Sequence, residues 1–184
     1  ISIITPIGMD HQEYLSKNIF KITDEKLGII KKNSNIIIGK QKTKVKNYIL
    51  KKISNKKNVN FYNKEFYFLN KKKNTFSIKY KNKKNKYSMP KLIGEHQLEN
   101  ATTAIASILK LKELGYKFIN KKISQGIVKT KWPGRLEIGS LKNIRVYLDG
   151  AHNLDGAEEI LKYFKKRKNK ICVIIGMLNN KDLY

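Results

Sequence analysis

Three short apolar blocks, the first two rich in β-branched residues and each closed by a glycine turn, constrain this chain more than any other feature. "SIIT" runs into Pro6-Ile7-Gly8, "SNIIIG" ends at Gly39, and Val146-Tyr147-Leu148 stops on Asp149-Gly150. Apolar runs this short, bounded by turn residues, predict buried strands rather than helices. Between the first two, from about Leu15 to Lys32, Ile19, Ile22, Ile29 and Ile30 recur at helical spacing. Strands alternating with helices predict an α/β fold.

The rest of the chain fits that plan with one interruption. "KTKVKNYILKKIS" places Val45, Ile49 and Ile53 at i, i+4 and i+8, a surface helix. From Asn58 to Met89 the aromatic and β-branched residues predict a strand-rich meander. Residues 96–114 predict a helix with Ala101, Ala104, Ile105, Ile108 and Leu111 on one face and Gly115 at its C-terminal cap. A shorter helix follows through Ile123 and Ile127. "WPGRLEIG" is a non-helical link, and a new unit begins near Ser140. Its strand over 145–148, helix over 155–167 and strand over 170–177 predict one βαβ unit. The expected domains are therefore 1–139 and 140–184, and both chain ends fall where an architecture would continue.

Net charge of +26 first suggests a nucleic-acid partner. Between Lys40 and Lys91 stand 18 Lys and one acid, Glu65. Yet only Arg135, Arg145 and Arg167 among the 40 basic residues are arginine, the residue whose planar fork reads phosphates and bases. Lys, Asn and Ile are enriched together along the whole chain, which reads as a compositional bias with a solvated surface. The aromatics at 61, 62, 66, 67, 68, 76, 80 and 87 are either a base-stacking platform or the inward face of a small sheet. The one cysteine, Cys172, excludes an internal disulfide framework, fits a reducing cytoplasm, and in its apolar run is expected in the core. No apolar run is long enough to cross a membrane.

Several clusters offer chemistry. Gly8-Met9-Asp10-His11 follows a strand-end turn, where α/β sheets place ligand-binding groups; His11 could ligate a divalent ion there, or Asp10 could merely cap a helix. Lys26 lies on the isoleucine stripe, so burial would favour its neutral amine, which reacts with carbon dioxide to a carbamate; the alternative is a snorkelling lysine. Asn100 precedes small residues and could pair with the N6/N7 edge of adenine, or act as an ordinary capping residue. Arg135, after a rigid Pro-Gly, suits a bidentate phosphate contact or a surface pair with Glu137. In "DGAHN", Asp149 at a strand end can accept from ribose hydroxyls, and Gly150 and Ala151 leave the backbone open. His152 can turn into the same crevice, and Asn153 can cap the next helix.

Taken in order, "TPIGMDH", "DEKLGIIK", "GEHQLENATTAIA", "WPGRLE", "DGAHN" and "GMLNNKD" resemble the folylpolyglutamate synthase/dihydrofolate synthase family, ATP-dependent amide ligases of the Mur ligase superfamily. The resemblance implies the second half of a central ATPase domain with its meander, then the first βαβ unit of a Rossmann-like C-terminal domain. It also implies an activity: ATP phosphorylates a folate or dihydropteroate carboxylate, and L-glutamate attacks the acyl phosphate. His11 would be a magnesium ligand and Lys26 a carbamylated lysine. Asn100, Arg135, Asp149 and His152 would contact ATP. A cytoplasmic monomer acting in folate and one-carbon metabolism is expected.

Muramyl-peptide ligases share the plan but typically carry Tyr-Ala-His in the last motif and Asn after the helix-opening His. Gly150-Ala151-His152 and Gln97 favour the folate branch. A muramyl-peptide ligase or a basic nucleic-acid-binding module remain the alternatives. No GxxxxGK[ST] phosphate loop occurs in the 184 residues, so the chain alone is expected to be inactive.

Overall fold

Strand β2 is Ile36–Ile38, three consecutive isoleucines with no solvent exposure. A computed structural model of the chain describes residues 1–9, 16–165, 167 and 170–177. Strands β1 (Ser2–Ile4) and β3 (Val59–Phe61) flank β2, both parallel to it. Because side chains alternate along a strand, β2 serves two cores. Ile36 and Ile38 pack with Ile4, Ile22, Val45, Ile49 and Phe61, whereas Ile37 packs with Tyr62, Phe66, Tyr80 and Ala106. Parallel strands need crossover connections, and α1 (Ile19–Leu27) and α2 (Thr43–Lys52) supply them on the first face.

Helix α1 is shorter than its hydrophobic pattern. The Asn18 side chain accepts from the Phe20 N–H and starts it, and Gly28 ends it. Ile29, expected on the apolar stripe, falls beyond the end and is half exposed. In α2, Val45 and Ile49 are buried, as is Ile53 at its end, matching their spacing.

The meander is antiparallel: β4 (Phe66–Lys71), β5 (Thr75–Tyr80) and β6 (Lys83–Ser88) in sequential order. Its apolar face packs under α3 (Glu95–Glu113) and α4 (Asn120–Lys129), with Phe76, Ile78, Tyr87, Leu98, Ala101, Ile105 and Ile123 in one cluster. Phe61, Tyr62, Phe66, Phe76, Tyr80 and Tyr87 are buried, and Tyr67 and Phe68 partly so. The aromatics are therefore inward faces, and a base-stacking platform is excluded for the six buried rings.

Helix α3 ends as the sequence predicts. Gly115 takes φ +95°, its N–H reaches the Lys112 carbonyl, and the Tyr116 N–H reaches Leu111. This double return is a Schellman motif, which needs a residue without Cβ strain at that point. One helical-face assignment fails: Ala104 is exposed, while Thr102, Thr103 and Ser107 are buried. Their hydroxyls bond to the carbonyls of Leu98, Glu99 and Thr103, which makes polar side chains tolerable in that interior.

The C-terminal part departs from the expected βαβ unit. Strands β7 (Glu137–Leu141) and β8 (Ile144–Leu148) form an antiparallel hairpin, with Lys142 and Asn143 both at positive φ in its two-residue turn. Helix α5 (Leu154–Lys165) follows. Residues 170–177, expected as the second strand, are not a strand, and Val173, Ile174 and Ile175 are 70–94% exposed. Among the described residues β8 pairs with β7 alone, so the parallel ladder that a βαβ unit needs on its other edge is not made, and the 170–177 run stays outside any sheet. Cys172 is exposed with that run rather than in a core.

Tyr87 is 1% exposed, and among the described residues its hydroxyl has no hydrogen-bond partner. Burial also pushes its phenol pKa up. Removing an unsatisfied polar atom without changing shape is close to neutral or stabilising. Tyr87→Phe is therefore expected to keep or raise Tm, whereas Tyr87→Ala should lose roughly 3–5 kcal/mol. Thermal unfolding of the two variants checks this, and a Phe variant destabilised by more than about 1 kcal/mol contradicts it.

Candidate functional site

The carboxyl ends of β1 and β2 open onto the amino end of α3, the position where parallel sheets present ligand-binding loops. Gln41 fixes the two strand-end loops to each other. Its side-chain oxygen accepts from the Ile7 N–H at 3.0 Å, and its amide nitrogen donates to the Thr5 carbonyl at 2.9 Å. Gly39 lies against α3, where an added Cβ would stand 3.2 Å from the Thr103 hydroxyl and 3.3 Å from the Ile4 carbonyl. Lys40 then pairs with Glu99 on α3 at 2.5 Å.

Asn100 sits exposed in the second turn of α3, and its amide donates to Gln97 Oε1 at 3.3 Å. The small residues after it are packed inward: Ala101, Thr102 and Thr103 are buried. A shallow cavity of about 210 Å³ flanks this end of α3, lined by Phe68, Asn70, Lys71, Glu95, Leu98 and Glu99.

"WPGRLE" and "DGAHN" are separated in sequence and adjoin in space. The Gly150 N–H donates to the Gly134 carbonyl at 2.8 Å. Asp149 accepts from the Leu136 N–H with one oxygen and from the Ala151 N–H with the other, both at 2.8 Å. Leu136 needs that anchor, because it is buried at φ +48°, a region that disfavours branched residues. Arg135, adjacent and exposed, is thus carried on a loop held by Asp149. Glu137 accepts from the Gly134 N–H at 3.0 Å, a bond other than the surface pair with Arg135 that is the alternative to a phosphate contact. His152 Nδ1 lies 2.8 Å from the Gly150 carbonyl, and the Asn153 side chain accepts from the Gly156 N–H, capping α5 as predicted. Nothing in the sequence signals the Asp149–Leu136 bond, which joins residues 13 positions apart through a backbone atom.

Helix α5 reaches back to the strand ends. Asp155 pairs with Lys42 at 2.5 Å, and Glu159 lies 3.1 Å from His96 and 2.6 Å from Lys162. The bond to Asp155 raises the Lys42 pKa above its ordinary value. Burial works against ionising Glu159, but Lys162 and His96 outweigh it and hold the carboxyl below its usual range.

Two expected residues stand apart from this group. His11 lies outside the described residues. Lys26 is exposed on α1, which buries Ile22 and Thr23 instead, so the burial argument for its neutral amine is overturned. Among the described residues no three His, Cys, Asp or Glu side chains converge as a cation site.

A family profile, Mur ligase, glutamate ligase domain, matches residues 134–183. The dihydrofolate synthase/folylpolyglutamate synthase of Bacillus subtilis is 30% identical over 98% of this chain and 44% of its own length. The chain belongs to the folylpolyglutamate synthase/dihydrofolate synthase family. A serine-to-alanine mutant of L. casei folylpolyglutamate synthase superposes with TM-score 0.80 at 26% identity, over 96% of this chain and 45% of that one. A folylpolyglutamate synthase–AMPPCP–folate complex gives TM-score 0.79 at 25% identity, over 89% and 41%. The α/β fold expected from the sequence is the fold of these family structures, and the chain spans less than half the length of the relatives it matches. Among the described residues no helix is long and apolar enough to cross a membrane.

Within this family member, Asp149→Ala should free the Leu136 and Ala151 amides. Each loses a charge-assisted bond of roughly 1.5–3 kcal/mol, so both are expected to exchange with solvent deuterium about ten- to a hundredfold faster. Unchanged protection at Leu136 would refute the anchoring role.

Proposed function

We propose that the chain is part of an ATP-dependent ligase that joins L-glutamate to a folate or dihydropteroate carboxylate through an acyl phosphate. The observation that carries this reading is the meeting of the "WPGRLE" and "DGAHN" loops, with α5 laid back over the strand ends of the first unit. AMPPCP and folate in the similar complex support a nucleotide and a folate as ligands. The sequence divides the chain at 1–139 and 140–184; since β7 begins at Glu137 and pairs with β8, we put the division just before the hairpin, in the 131–134 link.

In this reading Asn100 offers its amide to the adenine edge and Arg135 its guanidinium to phosphate oxygens. Asp149 uses one lone pair of each oxygen for the backbone; the others remain for ribose hydroxyls, so anchoring and nucleotide contact are compatible. His152 enters the crevice from the same loop. Closing the second unit over a bound nucleotide excludes water from an acyl phosphate, which otherwise hydrolyses. His11 and a carbamylated Lys26 would hold magnesium, whose charge would balance that of the phosphates, and this part rests on the resemblance of "TPIGMDH" and "DEKLGIIK" alone. A cytoplasmic monomer acting on small molecules completes the proposal; the inward aromatics argue against a nucleic-acid module.

Arg135→Lys in the complete synthetase is expected to lose about 10- to 100-fold in kcat/KM for ATP, because an ammonium cannot replace a bidentate contact worth roughly 1.5–3 kcal/mol. Steady-state kinetics decide it, and a lysine variant within about twofold of wild type removes Arg135 from the site. Lys26→Ala should abolish turnover and regain part of it in added acetate, whose carboxylate takes the place of the carbamate. If the alanine variant keeps most of its turnover and acetate changes nothing, Lys26 is only an exposed surface lysine.

A further inference from the structure

Acids are scarce in this chain, 14 against 40 basic residues, so where they lie is informative. Two of them, Asp155 and Glu159, stand one helical turn apart on one face of α5. Each meets a residue of the first unit. Asp155 Oδ1 is 2.5 Å from Lys42 Nζ, at the start of the helix that follows β2, and Glu159 Oε2 is 3.1 Å from His96 Nδ1, at the start of α3. Gly8, in the loop after β1, completes the seat: a Cβ built there collides with the Asp155 carboxylate.

Neither pair contributes much stability. Lys42 and Asp155 are 64% and 39% exposed, and pairs that open to water contribute about 0–1 kcal/mol. Their consequence is geometric. One contact would let α5 pivot, whereas two contacts a turn apart fix its position and its rotation about its own axis.

The second contact also reaches the candidate nucleotide site. Gln97 Nε2 lies 2.9 Å from His96 Nε2, and Asn100 Nδ2 donates to Gln97 Oε1. With the Gln97 amide so oriented, His96 Nε2 accepts and Nδ1–H donates to Glu159; one tautomer satisfies every bond. Other charged groups around the two contacts are Glu95, beside His96 in the chain, Lys162, which donates to Glu159 at 2.6 Å, and Glu158, whose charge acts on Lys42 and Lys162.

We propose that Asp155 and Glu159 are positioning residues that clasp the second unit onto the strand ends of the first, and that Glu159, through His96 and Gln97, orients the Asn100 amide for the nucleotide. The clasp stands on the contacts alone; the orienting role rests on the proposed assignment of Asn100 to ATP.

Two experiments separate these parts. Treating the full 184-residue chain with a zero-length carbodiimide should join Lys42 to Asp155 as an amide, seen as one linked peptide pair by mass spectrometry. Lys42→Glu or Asp155→Lys alone should remove the link, and the double swap should restore it with roles exchanged. A link absent from wild type, or a swap that fails to restore it, overturns the clasp, whatever the chain binds. In the complete synthetase, Glu159→Ala should raise KM for ATP about 5- to 10-fold with kcat changed less than about twofold, the signature of lost ground-state positioning. Equal loss in kcat, or no change in KM, overturns the orienting role. If wild type shows no ATP dependence at all, the proposed function fails while the cross-link still decides the clasp.

Discussion

The burial of β2 on both faces is the constraint on which the rest of this structure depends. A strand of three isoleucines cannot face water on either side, so α1 and α2 must cover Ile36 and Ile38 while the meander and α3 cover Ile37. This layering fixes where the chain turns. The ends of β1 and β2, the Gln41 staple between them and the start of α3 all come to one edge. The edge that carries the candidate chemistry is thus a consequence of apolar packing a few residues away.

The second unit is held by polar geometry more than by burial. Helix α5 has no buried residue, and β7 and β8 are exposed along most of their length. What ties this unit to the first is a pair of directional contacts, two acids of α5 to Lys42 and His96, while Asp149 and Gly150 hold its own entry loop through the Leu136 and Ala151 N–H groups and the Gly134 carbonyl. Bonds of this kind contribute little stability each but define orientation closely. They suit an element that must open for substrate and close over an intermediate.

The excess of lysine does not by itself describe a binding surface. Most lysines are solvated, and the few acids are placed where they matter: Glu99 with Lys40, Glu113 with Lys81 and Lys110, Asp24 with Lys52 and the Tyr48 hydroxyl. The aromatics that looked like stacking candidates are the inner lining of a small sheet. Composition drew attention to the meander; packing accounts for it.

The sequence by itself determined the elements whose cause is local. The buried strand at Ile36–Ile38, the spacing of Val45, Ile49 and Ile53, the cap at Asn153 and the return at Gly115 all follow from nearby residues and a fixed period. The motifs that carry the family resemblance were legible for the same reason: each is contiguous. Only the tertiary structure decided what depends on distant atoms. Lys26 lies exposed because α1 turns a different face inward, and 170–177 stays outside the sheet in which β8 pairs with β7. Asp149 anchors Leu136 and Glu159 meets His96 through contacts that no local pattern encodes. A period in sequence reports which face of an element is apolar; which neighbour that face or its polar tips will meet is settled only when the whole chain has packed.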